Sequence, residues 1–101
     1  MKRIIVRYKV KQDQAEENIE YVKAVFNALE NNRPEGLRYA CFQLEDGVSF
    51  VHIASIETED GTNPLPAFDE FKAFVKDIAA RCEEPPVASE AAMIGAYKIL
   101  T

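Results

Sequence analysis

From Arg3 to Lys11 the chain alternates strictly. Ile4, Val6, Tyr8 and Val10 fall on one side, and Arg3, Ile5, Arg7, Lys9 and Lys11 on the other. A period of two predicts a strand. After a polar break at residues 12–14 the period changes: Ile19, Val22, Phe26 and Leu29 recur at steps of three and four, with Val25 beside them. That stripe predicts an amphipathic helix of about five turns. Asp13 and Glu16 have capping-box spacing at its start. Asn31-Asn32-Arg33-Pro34-Glu35-Gly36 ends it, because Asn tolerates a left-handed cap and proline cannot continue a helix.

Residues 37–44 and 48–56 are rich in aromatic and β-branched side chains and flank Asp46-Gly47. Such a dipeptide between two such runs predicts a hairpin. A polar loop with Gly61, Asn63, Pro64 and Pro66 follows, long enough to act as a lid. Phe68, Phe71, Val75, Ile78 and Cys82, widened by Phe74, predict a second helix starting near Pro66 and stopped by Glu83-Glu84-Pro85-Pro86. Residues 93–100 read as the last strand. The expected order is βαββαβ: one ferredoxin-like α+β domain over residues 1–101, a four-stranded antiparallel sheet with two helices on one face.

Counting outward from the turn pairs Leu44 with Ser49, Gln43 with Phe50, Phe42 with Val51, Cys41 with His52, Ala40 with Ile53 and Tyr39 with Ala54. Opposed residues share a face. One face then holds Ala40, Phe42, Leu44, Val51 and Ile53. The other holds Leu37, Tyr39, Cys41, Phe50, Ala54 and Ile56, with Gln43 and His52 among them. A sheet with one wet face should alternate apolar and polar residues, and here neither face does. Two helices cover one side only, so the exposed apolar face predicts a homodimer with the two sheets packed together.

The 101 residues carry a net charge of −5. That balance argues against a nucleic-acid partner. RNA-recognition motifs share the element order, and Gly47-Val48-Ser49-Phe50-Val51-His52-Ile53 partly echoes their signature strand. Asp46, Val48 and Ile53 fail the pattern, however, and Ile5 offers no stacking aromatic. No apolar run is long enough to span a bilayer. Arg7, Lys9 and Lys11 interrupt the apolar start, so no signal peptide is read and a cytoplasmic location is expected. Cys41 and Cys82 are expected as buried thiols; with one histidine they form no zinc motif, and the acidic loop from Glu57 lacks calcium-loop spacing.

The runs Ile4-Ile5-Val6-Arg7-Tyr8-Lys9-Val10-Lys11, Gly36-Leu37-Arg38-Tyr39 and Phe50-Val51-His52-Ile53-Ala54-Ser55 carry a resemblance in pattern to the dimeric α+β barrel superfamily. Within it the chain is most similar to the antibiotic biosynthesis monooxygenase-like group. The resemblance implies a dimeric barrel and, as in several members, oxidation of aromatic polyketides by oxygen without metal or flavin; some relatives degrade haem. Two positions depart from the commoner pattern. Glu57 replaces a tryptophan at the end of the third strand, and Phe68-Asp69-Glu70-Phe71 stands where a histidine opens the second helix.

His52, Tyr39 and Arg7 are the candidate site residues. His52 is either a pocket wall that exchanges a proton with a small ligand or a buried histidine held by a hydrogen bond; lone ionisable residues in cores are usually structural. Arg7 is either an anion-binding or dimer-bridging charge or one half of an interior ion pair with Glu57. Tyr8, Tyr39 and Tyr97 either line an aromatic pocket or pack as strand tyrosines usually do. Cys41 lacks an activating cation other than His52 and is expected to be inert. Two functions follow: a cofactor-independent oxygenase of a small hydrophobic aromatic substrate, or a non-catalytic ligand-binding or structural dimer. His52→Ala should abolish turnover in the first and cost only stability in the second.

Overall fold

The computed structural model describes residues 1–99. Four antiparallel strands form one sheet in the order β2-β3-β1-β4, with β1 at Lys2–Val10, β2 at Leu37–Gln43, β3 at Ser49–Ile56 and β4 at Cys82–Ala91. Helix α1, Ala15–Asn32, follows β1; α2, Asp69–Val75, and the short α3, Ile78–Arg81, lie between β3 and β4. This is the ferredoxin-like α+β arrangement expected from the pattern.

The hairpin register agrees pair for pair with the count from Asp46-Gly47, from Gln43 opposite Phe50 to Leu37 opposite Ile56. The Asp46 side chain holds the turn: its carboxylate accepts from the Val48 and Ser49 backbone N–H groups at 3.0 and 2.8 Å, and from the Ser49 hydroxyl at 2.6 Å. The next constraint sits before β2. Gly36 has φ +75°, and a Cβ there would meet the Thr58 backbone at 2.8 Å, so only glycine lets β2 start this close to the loop after β3.

Helix α1 buries Asn18, Val22, Val25 and Ala28 against the sheet. Its end is a left-handed cap at Arg33, whose N–H donates to the Leu29 carbonyl at 2.7 Å, while Asn32 donates from its side chain to Ala28. The expected capping box at Asp13 does not form: a 3-10 turn at Gln12–Gln14 leads into the helix and no side chain caps it. The core is Tyr8, Val10, Val22, Val25, Phe50, Leu65, Phe74 and Cys82. Each large apolar side chain buried there contributes roughly 1.5–3 kcal/mol.

The second half of the chain departs from expectation in two places. The second helix is broken: Asp77 turns into the left-handed region at φ 57°, separating α2 from α3. Arg81 holds the break. Its buried guanidinium donates to the Phe74 carbonyl at 2.6 Å and the Lys76 carbonyl at 3.1 Å, and sits 4.6 Å over the Tyr21 ring. A cation on the open carbonyls at a helix C-terminus is favourable placement.

The last strand is Cys82–Ala91, not residues 93–100. Glu83-Glu84-Pro85-Pro86, read as a stop, lies inside it. Proline is tolerated because β4 is an edge strand and its register slips between Arg7 and Lys9 and again between Lys9 and Val10, where bulges absorb the missing donors. Residues 93–99 form no strand, and Leu100 lies outside the described residues.

Candidate functional site

Strand β1 puts Ile4, Val6, Tyr8 and Val10 under the helices, as its alternation requires. Its register against β3 then sets Val6 opposite His52 and Tyr8 opposite Phe50, while β2 sets Cys41 opposite His52. Tyr8, Tyr39, Cys41 and His52 therefore converge beneath the helices. Tyr8, Tyr39 and His52, together with α2, α3 and the loop after β3, line a cavity of about 290 Å³. Ile4, Val6 and Ala54 form its floor; Phe71, Phe74, Val75 and Ile78 cover it; Asn63 and Leu65 come from the loop and Pro86 from β4.

Of its polar lining residues, Tyr8, Tyr39 and His52 are joined in one relay, while Asn63 accepts from the Leu65 N–H at 3.0 Å. The Asn18 amide nitrogen donates to the Tyr8 hydroxyl at 2.8 Å. That hydroxyl lies 2.8 Å from His52 Nε2, and the Tyr39 hydroxyl lies 2.6 Å from His52 Nδ1. The Cys41 thiol approaches the same Nε2 at 3.4 Å. Aromatic rings enclose the imidazole: Phe74 stacks on it at 5.3 Å between centroids, and the Tyr8 and Tyr39 rings tilt against it at 5.3 and 5.7 Å.

Burial dominates the electrostatics. Taking His52 out of water pulls its pKa down to about 4, so the imidazole is neutral at pH 7. The same cause lifts both tyrosine hydroxyls well above the ordinary phenol value and pushes the Cys41 thiol up to about 11. No member of the relay is charged near neutrality. Cys41 is a thiol, not a nucleophilic thiolate, in line with its expected inertness.

Two candidates lie elsewhere. Arg7 is on the opposite face of the sheet, exposed, in the rung Phe42–Val51–Arg7–Val87. Alternation along β1 forces this, since Arg7 follows Val6 and precedes Tyr8. Its expected partner Glu57 is bound instead to Arg38 at 3.4 Å and accepts from the Ser55 hydroxyl at 2.6 Å. Tyr97 is 83% exposed, beside Lys98, and does not line the cavity. Asn18 is the residue the pattern hid. It occupies an apolar-stripe position one turn before Val22 and is fully buried; an amide interrupting such a stripe was the available signal. Among the described residues no cluster of His, Cys, Asp and Glu could hold a metal ion.

No family model matches the sequence, and no curated protein matches it as a relative. Solved structures do match. One described as an antibiotic biosynthesis monooxygenase superposes with TM-score 0.72 at 17% identity, covering 94% of this chain and all of that one. Rv0793 from Mycobacterium tuberculosis gives 0.75 at 12% identity, over 94% of this chain and 96% of the other. The fold is that of the antibiotic biosynthesis monooxygenase-like proteins. NE2512 from Nitrosomonas europaea, a protein of unknown function, matches equally well, with TM-score 0.72 at 14% identity over 95% and 91% of the two chains, so the likeness gives the fold and not an activity.

Proposed function

We propose that this protein is a homodimer that takes a small aromatic compound into the cavity beneath its helices, held by apolar walls and oriented by the His52–Tyr39 pair. The observation that carries the reading is the combination of an apolar cavity with a single convergent polar cluster. Ligand sites are built this way, and about 290 Å³ is at the small end of their range, room for one or two fused rings.

The open face of the sheet supports assembly with a second copy. Ala40, Ile53 and Ile5 form one apolar rung, and in the next Phe42, Val51 and Val87 flank Arg7, with Phe42 47% exposed. Beyond β4, Ile94, Tyr97 and Ile99 also stand in solvent. An exposed apolar sheet face of this kind marks an interface, and a two-fold pair is the commonest way to bury it.

A second reading is favoured by the fold shared with a structure described as a monooxygenase. In it the bound aromatic is oxygenated without a resident cofactor: an activated ring methylene and O2 become a ring carbonyl and water, all four electrons coming from the substrate. The chain's own contribution would be desolvation and one proton-accepting group. His52 is poorly suited to that task, because a pKa near 4 makes it a weak base and both ring nitrogens are already engaged. Binding is therefore the leading reading.

Titration with two-ring aromatics, followed by NMR shifts of residues around the cavity, tests it. Saturable shifts at Tyr39, His52 and Phe74 are expected, and their absence across a panel contradicts it. Oxygen uptake by wild-type protein that is lost in His52→Ala would promote the enzymatic reading.

A further inference from the structure

The relay has a direction, and Asn18 is at its head. Its amide nitrogen donates to the Tyr8 hydroxyl, so the one Tyr8 proton must go on to His52 Nε2. The Cys41 thiol also faces that nitrogen. With two donors converging, Nε2 is the bare nitrogen and Nδ1 carries the hydrogen, donating it to the Tyr39 oxygen. The Tyr39 proton then has no acceptor among the described residues, and Tyr39 lines the cavity.

Turning the Asn18 amide over would reverse every bond. The present orientation leaves Asn18 Oδ1 and one of its two amide hydrogens unpaired, in a residue 0% exposed. The reverse would leave both hydrogens of a buried NH2 without a partner, which is the costlier arrangement because orphaned donors are tolerated less well than under-used carbonyl oxygens.

We infer that Asn18 sets the direction of this relay, so that Tyr39 presents an O–H donor to the cavity and the ligand is an aromatic compound bearing a carbonyl acceptor. The assignment rests on the ligand-binding reading above and narrows its ligand class. Asn18 acts here as a positioning residue through Tyr8 and His52; Tyr39 is the group that touches the ligand.

One histidine in the chain makes the direction directly readable. Nitrogen-15 NMR of the wild-type protein near pH 8 should show the Nδ1–H tautomer of His52, and the Nε2–H tautomer would overturn the inference. Asn18→Asp replaces the donor with an acceptor, so Tyr8 must turn towards it; the tautomer should switch to Nε2–H, and an unchanged tautomer in folded protein would remove Asn18 from control.

Ligand choice is read separately with 1-tetralone and tetralin, which share a ring frame and differ in the carbonyl. Tyr39→Phe should weaken 1-tetralone about five- to tenfold, the worth of one hydrogen bond, and leave tetralin unchanged. Equal effects on both would overturn the carbonyl assignment. If neither compound binds wild-type protein, the cavity reading and the carbonyl assignment fall together, while the tautomer signal still decides the direction of the relay.

Discussion

One residue along each strand separates two different surfaces. The rung Cys41–His52–Val6 lies under the helices and carries a neutral relay. Its neighbour, Phe42–Val51–Arg7–Val87, lies on the other face, with Phe42, Arg7 and Val87 in solvent. Both rungs are rich in apolar atoms, so composition does not separate them; cover does. Where α1, α2 and α3 exclude water, a histidine is held uncharged and two tyrosines are kept protonated. Where nothing covers the sheet, similar side chains form a patch that a second copy would bury.

The largest expected effect breaks the covered side. Phe50→Ala removes a fully buried ring stacked on Tyr8 at 5.5 Å and should cost about 3–5 kcal/mol in denaturant unfolding. Phe42→Ala, one rung away from that layer, should change the midpoint far less at low protein concentration. A cost as large as that of Phe50→Ala would show that the open face is part of the folded monomer's own core.

Acid sharpens the same contrast. The folded His52 has its pKa lowered to about 4, whereas the unfolded chain takes up this proton near the ordinary 6.5. The unfolded state thus binds more protons between those values. The contribution of His52 is full above pH 6.5 and is lost as pH falls from 6.5 to about 4, by roughly 3 kcal/mol in all. The difference in stability between wild type and His52→Gln across this window should show that decline, and a pH-independent difference would mean that His52 is not held neutral by burial.

Phe42→Glu puts a charge into the proposed interface and should weaken self-association at least tenfold, about 1.4 kcal/mol, in sedimentation velocity. The His52 tautomer and the cavity shifts should be untouched. The smallest effect is expected at Tyr97→Ser: a ring 83% exposed should alter unfolding by no more than about 0.5 kcal/mol. A few-fold loss of association in this variant would place the chain after β4 in the interface.

Much of this division is legible in the residues. Alternation in β1 and the count outward from Asp46-Gly47 give both faces of three strands, and they bring Cys41, His52 and Tyr39 together. The β1–β3 register is not legible, because no turn joins those strands; without it, nothing says that Tyr8 meets His52, although alternation alone turns Arg7 away from Tyr8. Asn18 is hidden for a related reason: its importance depends on how α1 is rotated against the sheet. The fourth strand was obscured by Pro85-Pro86, whose cost depends on the edge position and the bulges, both properties of the assembled sheet.

Both sides of the comparison meet in native mass spectrometry of the wild-type protein with 1-tetralone. The account predicts a species of twice the 11.4 kDa chain mass carrying one ketone per chain. A bare monomer at the same concentrations would contradict it on both faces of the sheet.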